Sequence, residues 1–147
     1  MDLAYELHDL VRTLDREAER ILRPEGLSYH RYVALIVIAE HPGVTGRQLS
    51  GALGVTEAAV SGIVRALIRD GSVDNVAEAG TGNVRHLRIT AQGETLRQRC
   101  ATLLGSSLDN NARAIQIDPA ALARTIRSLH DELRSTHRST DSEKREP

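Results

Sequence analysis

Apolar residues recur at steps of three and four along most of the chain, which is the spacing of amphipathic helices. In residues 2–22 they form one stripe that predicts a first helix, made of Leu3, Leu7, Leu10, Leu14, Ala18 and Ile21. A second helix is predicted after Ser28. It is apolar on every side from Tyr32 to Ala39, which places it in the middle of the fold. A buried strand is the alternative for this β-branched run, but its length and the capping serine favour a helix.

The stretch from Thr45 to Gly71 predicts two short helices joined by a tight turn at Gly54. Thr45 and Gln48 have the spacing of a capping box, and Thr56 is a typical N-cap for the second helix. The buried side of that helix consists of Val60, Val64, Leu67 and Ile68. Its outward side is small and polar and consists of Glu57, Ala58, Ser61, Gly62 and Arg65. This is the pattern of a helix-turn-helix, which it shares with other helical hairpins.

The next segment, residues 72–90, predicts a β-hairpin, because β-branched residues at both ends flank turn formers at 79–83. A helix-turn-helix followed directly by a hairpin is the order of a winged helix. In that fold the second helix enters the major groove of DNA and the hairpin contacts the backbone or the minor groove. Winged helices also serve as protein–protein modules, so the order alone leaves both functions open.

The C-terminal part predicts two more amphipathic helices and a polar tail. Thr90 caps a long helix in which Gly105 allows a bend, and its apolar side consists of Leu96, Cys100, Leu103, Leu104, Leu108, Ala112 and Ile115. Asp118 and Pro119 start the last helix, whose apolar side consists of Leu122, Ile126, Leu129 and Leu133. From Ser135 onward the chain is polar without apolar spacing, which predicts disorder.

These elements predict a mainly α fold with a small β-hairpin wing: a winged helix-turn-helix core plus a terminal-helix dimerisation domain. The predicted segments are an N-terminal dimerisation helix (1–24), the DNA-binding winged helix-turn-helix (28–90), C-terminal dimerisation helices (91–135) and a disordered tail (136–147). Uncovered apolar stripes at both ends of the chain suggest a homodimer. A dimer would place two recognition helices about 34–36 Å apart and thereby read a palindrome.

Composition indicates a cytoplasmic globular protein. No run approaches the roughly 18 apolar residues of a membrane span, the N-terminus is acidic, and the single Cys100 excludes an internal disulfide. The net charge of −1 gives no global attraction to nucleic acid. Locally, however, residues 45–90 hold five arginines against four carboxylates, whereas residues 1–40 hold five against eight. The balance therefore favours DNA at the helix-turn-helix.

In residues 27–73 and 87–96 the chain resembles the MarR family of bacterial winged-helix regulators, the multiple-antibiotic-resistance regulators. That family has a short helix with Leu-Ala-x-x-Leu-Gly-Val-Thr, a recognition helix ending in glycine, a wing, and Leu-Thr-x-x-Gly. Leu49–Thr56 and Ile89–Gly93 match these motifs at the usual spacing. The resemblance covers about residues 1–135. It implies a homodimeric transcription regulator, commonly a repressor relieved by a small ligand or an oxidant.

Three positions depart from the family pattern. The wing-tip Asp-x-Arg is replaced by Thr-Gly-Asn at residues 81–83. Asn75 stands where a basic residue is common on the first wing strand, and Ala66 where an arginine is common late in the recognition helix. Fewer phosphate contacts flatten the salt dependence of DNA binding. Either Arg85 and His86 substitute from the wing, or this member binds DNA weakly or differently.

The outward side of the second helix supplies the predicted base contacts. Arg65 suits a guanine edge, Ser61 can accept or donate, and Ala58 can touch a thymine methyl. Hydroxyl groups, a cation and helix N-termini nearby suit phosphates. The predicted DNA-binding set is Thr45, Arg47, Gln48, Thr56, Glu57, Ala58, Ser61, Gly62, Arg65, Arg85 and His86. A solvated helix face, and capping alone for the threonines, are the alternatives.

The resemblance also implies a small aromatic or anionic effector, bound between the dimer helices and the winged core. The candidate ligand residues are His8, Arg12, Arg16, Tyr29, His30 and Tyr32, for which solvated or packed side chains are the alternative. No metal or cofactor is predicted, and Cys100 is expected to be buried and inert. No enzymatic motif is present. The resemblance implies a ligand-responsive repressor, and the predicted dimer implies a palindromic operator. The alternative is a winged-helix protein–protein module without specific DNA binding.

Overall fold

Seven α-helices and a small antiparallel sheet make up the computed structural model, which describes residues 1–77, 82 and 84–143. The chain falls into two compact units, Met1–Gly105 and Ser106–Pro147. The first contains α1 (Leu3–Leu22), a 3₁₀ turn (Arg23–Glu25), α2 (Tyr29–Glu40), β1 (Val44–Thr45), α3 (Gly46–Leu53), α4 (Glu57–Arg69), β2 (Val73–Asn75), β3 (His86–Ile89) and α5 (Ala91–Leu104). The second contains α6 (Ser107–Ala114) and α7 (Pro119–Glu143).

The helices of the first unit begin where the sequence predicts, because the predicted caps form. In each cap a side-chain oxygen accepts the backbone N–H three residues on, at Ser28, Thr45, Thr56 and Thr90. The capping box is complete, since Gln48 Oε1 accepts from the backbone N–H of Thr45 at 3.0 Å. Gly54 ends α3 with a φ of +66°, in the left-handed region that glycine adopts without strain.

Helix α2 forms the centre of the first unit, as its uninterrupted apolar run predicts. Ala34, Leu35 and Ile38 are fully buried. The buried residues clustered with them come from every neighbouring element and include Leu22, Leu49, Val60, Val64, Leu67, Val73, Leu87 and Cys100. The winged helix therefore has a hydrophobic core of its own, which fixes α4 with one side inward.

The sheet has the strand order β1-β3-β2. Val73 pairs with Ile89 across the predicted hairpin, and Val44 pairs with Leu87, which is fully buried. Strand β1 is not predicted from the sequence, because two residues show no periodicity and their partner lies far along the chain. It matters for the site, since it joins the start of α3 to the wing.

The end of α4 and the start of α5 are bonded to each other at the base of the wing. Thr90 Oγ1 donates to the carbonyl of Gly71 at 2.7 Å, and the backbone N–H of Thr90 donates to that of Ser72 at 3.0 Å. A Cβ added to Gly93 would lie 2.0 Å from the Ser72 carbonyl oxygen. The Ile-Thr-x-x-Gly motif therefore has a structural reason: the threonine holds the turn, and the glycine leaves room for it.

The C-terminal helices differ from the prediction in two ways. The helix predicted to run on through Ile115 is interrupted at Gly105, whose φ of +58° and ψ of −156° are not helical. In addition, α7 continues to Glu143 instead of giving way to an unstructured tail at Ser135. Residues 120–143 contain no glycine or proline that would stop a helix, although they are polar at the end. Residues 144–147 lie outside the described part.

Apolar side chains remain exposed on the second unit and at the start of α1. On α7 Leu122, Ile126, Leu129 and Leu133 are between 38% and 54% exposed, and on α1 Leu3 is 64% exposed.

Among the described residues, no single helix has the length and apolar character to cross a membrane. The pair α3 and α4, bent by 111° at its junction, meets those two criteria only when both helices are taken together.

Candidate nucleic-acid interface

Helix α4 presents the outward face that the sequence predicts. Val60, Val64 and Leu67 are buried and Ile68 is half-buried, whereas the predicted outward residues are all exposed: Glu57, Ala58, Ser61, Gly62 and Arg65. Arg65 Nε donates to the backbone carbonyl of Ser61 at 3.3 Å, so the guanidinium lies back along its own helix. This leaves a ridge of small side chains with one long cation, a shape that fits the major groove.

The structure brings α3, α4 and the wing together on one side of that ridge. A cavity of about 570 Å³ is lined by Thr45 and Arg47 from the start of α3, by Glu57 and Ser61 from α4, and by Arg85 beside β3. These residues are distant in sequence and meet because β1 pairs with β3. Two arginines thus flank the first turn of the recognition helix, where phosphate groups of a bound duplex would lie.

Arg47 and Glu57 form a loose ion pair within this cavity. The Nε of Arg47 lies 4.0 Å from Glu57 Oε1, and the two side chains are 89% and 69% exposed. Such an exposed pair contributes little to stability. Both groups therefore remain free to contact a ligand.

Three of the predicted phosphate contacts have a structural role that accounts for them. Thr45 Oγ1 accepts from the backbone N–H of Gln48 at 3.2 Å, and Gln48 returns the bond. Thr56 Oγ1 accepts from the N–H of Ala59 at 3.1 Å. Their part in DNA binding remains a prediction, because capping alone explains these residue types.

Asn75, which stands where the family commonly has a basic residue, holds the base of the wing. Asn75 Oδ1 accepts from the backbone N–H groups of His86 at 3.0 Å and Ala77 at 3.2 Å. His86 is half-buried, and its Nδ1 lies 3.2 Å from the carbonyl oxygen of Gly43. Since a carbonyl oxygen only accepts, this contact is a hydrogen bond when Nδ1 carries a proton. Asparagine in a strand beside a turn is the signal that identifies this role.

One position that departs from the family pattern lies inside the fold. Ala66, where the resemblance implies an arginine, is only 4% exposed. Its neighbour Arg65 is exposed. Of the wing-tip substitution, Thr81 and Asn83 lie outside the described residues, and Gly82 has a φ of +70°.

The six predicted effector residues are not gathered in one cavity of the chain. His8, Arg12 and Arg16 are exposed on α1, where Arg16 lines a hollow of about 380 Å³ together with Asp15 and Glu19. His30 lines a different hollow, of about 470 Å³, between the start of α2 and α4. The remaining pair, Tyr29 and Tyr32, have ring centroids 6.5 Å apart. Their common role as an effector site remains a prediction.

The buried titratable groups near α2 belong to the core. Burial raises the pKa of the Tyr32 hydroxyl, and Tyr32 is only 8% exposed. Burial also raises the pKa of the Cys100 thiol, with a further contribution from the carboxylate of Glu25. A fully buried thiol with a raised pKa reacts slowly, as the sequence predicts for Cys100. Within the described ranges no three histidine, cysteine or acidic side chains come together as metal ligands.

Comparison with known proteins agrees with this geometry. A model of the MarR family matches residues 25–82, which include the helix-turn-helix. The transcriptional repressor Rv2887 of Mycobacterium tuberculosis is 26% identical over 133 residues, which cover 90% of this chain and 94% of the repressor. The crystal structure of Rv2887 with salicylic acid matches with a TM-score of 0.64 at 25% identity, over 90% of this chain and 96% of that one.

A DNA complex shares the same fold. The crystal structure of the MepR–DNA complex of S. aureus matches with a TM-score of 0.74 at 16% identity, over 92% of this chain and 96% of that one. The family model over residues 25–82 and these relatives thus agree with the resemblance to the MarR family of winged-helix transcription regulators that the sequence motifs predict.

Proposed function

We propose that this protein is a homodimeric repressor that binds a palindromic operator and is released by a small aromatic or anionic effector. The observation that carries the proposal is the cavity beside the recognition helix. There Arg47 from α3 and Arg85 from the wing flank the exposed face of α4. Arg47 and Arg85, which suit phosphate groups, thus lie beside the exposed side chains of α4, whose size and polarity suit base edges.

The homodimer is supported by apolar surface that one chain leaves uncovered. Leu129 and Ile126 on α7 are 38% and 44% exposed, and Leu10 on α1 is 43% exposed. Exposed apolar stripes of this kind on a helix are typical of an interface. A two-fold dimer would present two copies of α4 to successive major grooves, about 34–36 Å apart, and an inverted repeat matches that symmetry.

The effector is supported by a relative and by candidate residues. The structure of Rv2887 contains salicylic acid, a small aromatic anion. In this chain Arg12 and Arg16 on α1 offer cations to such a carboxylate, and His8, Tyr29, His30 and Tyr32 complete the proposed set. A ligand that binds the DNA-free state more tightly than the DNA-bound state would weaken operator binding. At saturation the affinity for the operator would fall by the ratio of the two ligand affinities.

A fluorescence anisotropy titration with DNA from upstream of the protein's own gene, at two salt concentrations, tests the proposal. We expect a sequence-specific complex that weakens as salt rises. Arg65→Ala should relax the preference for one base, since the side chain faces the groove. Arg47→Ala should instead weaken binding to all sequences and lower the salt slope by about 1 per protomer.

The second candidate function is a winged helix that binds another protein. It is favoured by the residues that replace the charged wing tip, Thr81 and Asn83. The absence of any specific complex at low salt would support this function and contradict the repressor. Equal effects of Arg65→Ala and Arg47→Ala on every sequence would contradict the division between base and phosphate contacts.

A further inference from the structure

Glu57 is an unexpected residue on a surface that binds a polyanion. It is the only acidic side chain among the described residues that line the cavity beside α4, where Arg47 and Arg85 are the cations. Its carboxylate is 69% exposed, so burial has not tied it into the fold. A carboxylate at this place opposes phosphate binding, and that cost calls for a compensating contact.

The fold does not require the Glu57 carboxylate. Thr56 already caps α4 through Ala59, at 3.1 Å. The Arg47 guanidinium lies 4.0 Å away and is itself 89% exposed, so their ion pair is open to water. The Arg47 cation nevertheless reduces the repulsion between this carboxylate and DNA, because it lies beside the carboxylate in the same cavity.

The position of Glu57 on α4 directs it toward bases. Glu57 and Ser61 are four residues apart, so they lie on the same side of the helix, one turn from each other. Both line the cavity, and both are exposed at the end of α4 that a recognition helix points into the major groove. A group in the first turn there reaches base edges, whereas groups on α3 reach the backbone.

We propose that Glu57 determines specificity by reading a cytosine in each half-site; this inference rests on the proposed DNA-binding function. A carboxylate only accepts hydrogen bonds. In the major groove cytosine presents its N4 amino group as a donor, whereas guanine and thymine present acceptor oxygens that a carboxylate repels. Adenine presents its N6 donor beside the N7 acceptor, which also repels a carboxylate. Glu57 therefore selects cytosine and rejects guanine and thymine at one position, while Arg65 on the same helix suits guanine.

The test is selection of bound sequences from DNA in which the operator half-sites are randomised. The wild-type protein should enrich cytosine at one position of each half-site. Glu57→Gln should replace that cytosine with adenine, because a glutamine amide bonds to N6 and N7 of adenine. Glu57→Ala should lose the preference at this position alone. We expect each change to alter the base ratio there about fivefold or more.

Glu17→Gln is the matched control, because Glu17 is an exposed carboxylate on α1 that also pairs with an arginine. It should leave every base frequency unchanged, and thermal unfolding should show all variants folded. The inference is overturned if both Glu57 variants keep the wild-type frequencies and only bind all DNA more tightly, which would mean that Glu57 merely repels phosphate. A wild-type protein that enriches no sequence would instead contradict the proposed function itself.

Discussion

The two compact units of the chain differ in where their apolar side chains lie. In the unit from Met1 to Gly105, Leu35, Ile38 and Leu67 are completely buried against one another. In the unit from Ser106 onward, Ala112 is the one described residue that is buried, and the apolar side chains of α7 remain at the surface. The first unit therefore has a closed core of its own. In the second unit the exposed apolar side chains are the ones that the proposed dimer would cover.

The largest effect is expected from charges placed on the exposed apolar side of α7. Ile126→Glu combined with Leu129→Glu puts four charges into the proposed dimer interface, two from each protomer. We expect the dimer to be destabilised by at least about 4 kcal/mol, roughly a thousandfold in its dissociation constant, because apolar burial is lost and charges are desolvated. Analytical ultracentrifugation across a range of protein concentrations measures this change.

The matched control is Arg124→Glu, about half a turn away on α7, which should leave the dimer intact. The helix-turn-helix unit of the double variant should keep its thermal transition, since none of its core residues is altered. A double variant that remains dimeric would show that α7 is not the interface, and the exposed apolar surface would then need another explanation.

The second prediction tests how tightly the first unit is packed at Gly93. In Gly93→Ala the new methyl group would lie 2.0 Å from the Ser72 carbonyl oxygen, so α5 or the turn must move. We expect a loss of about 1–3 kcal/mol of unfolding free energy, measured by chemical denaturation. Gly51→Ala is the control, because nothing lies within 4 Å of a Cβ there. A variant as stable as the wild type would contradict the close packing.

The smallest effect concerns the exposed face of the same unit. Gly62 lies in the middle of α4 with open space around it, so Gly62→Ala should stabilise the helix by about 1 kcal/mol. If the duplex approaches α4 at this glycine, the same change should weaken operator binding. A higher unfolding temperature together with a lower operator affinity would show that the duplex contacts α4 at Gly62. The control Gly51→Ala should raise the unfolding temperature and leave the operator affinity unchanged. An unchanged affinity for Gly62→Ala would move the contact away from this glycine.

Features that depend on neighbours in sequence could be predicted from the sequence. The caps at Ser28, Thr45, Thr56 and Thr90 involve residues three positions apart, and all four form. The buried and exposed sides of α4 follow from its period. The family motifs agree with the order of the elements and with the recognition helix that these patterns predict.

Features that depend on distant contacts could not be predicted in this way. Strand β1 exists because Val44 pairs with Leu87, and Asn75 matters because it bonds to His86. The cavity that joins Arg47 to Arg85 follows from the same pairing, so membership of the site could be guessed residue by residue but not its geometry.

The bonds at the foot of the wing have a mechanical consequence. Thr90 and Gly93 fasten the first turn of α5 to Gly71 and Ser72, immediately beyond the recognition helix. A tilt of α5 would therefore move the end of α4 with it, because these bonds join the two helices.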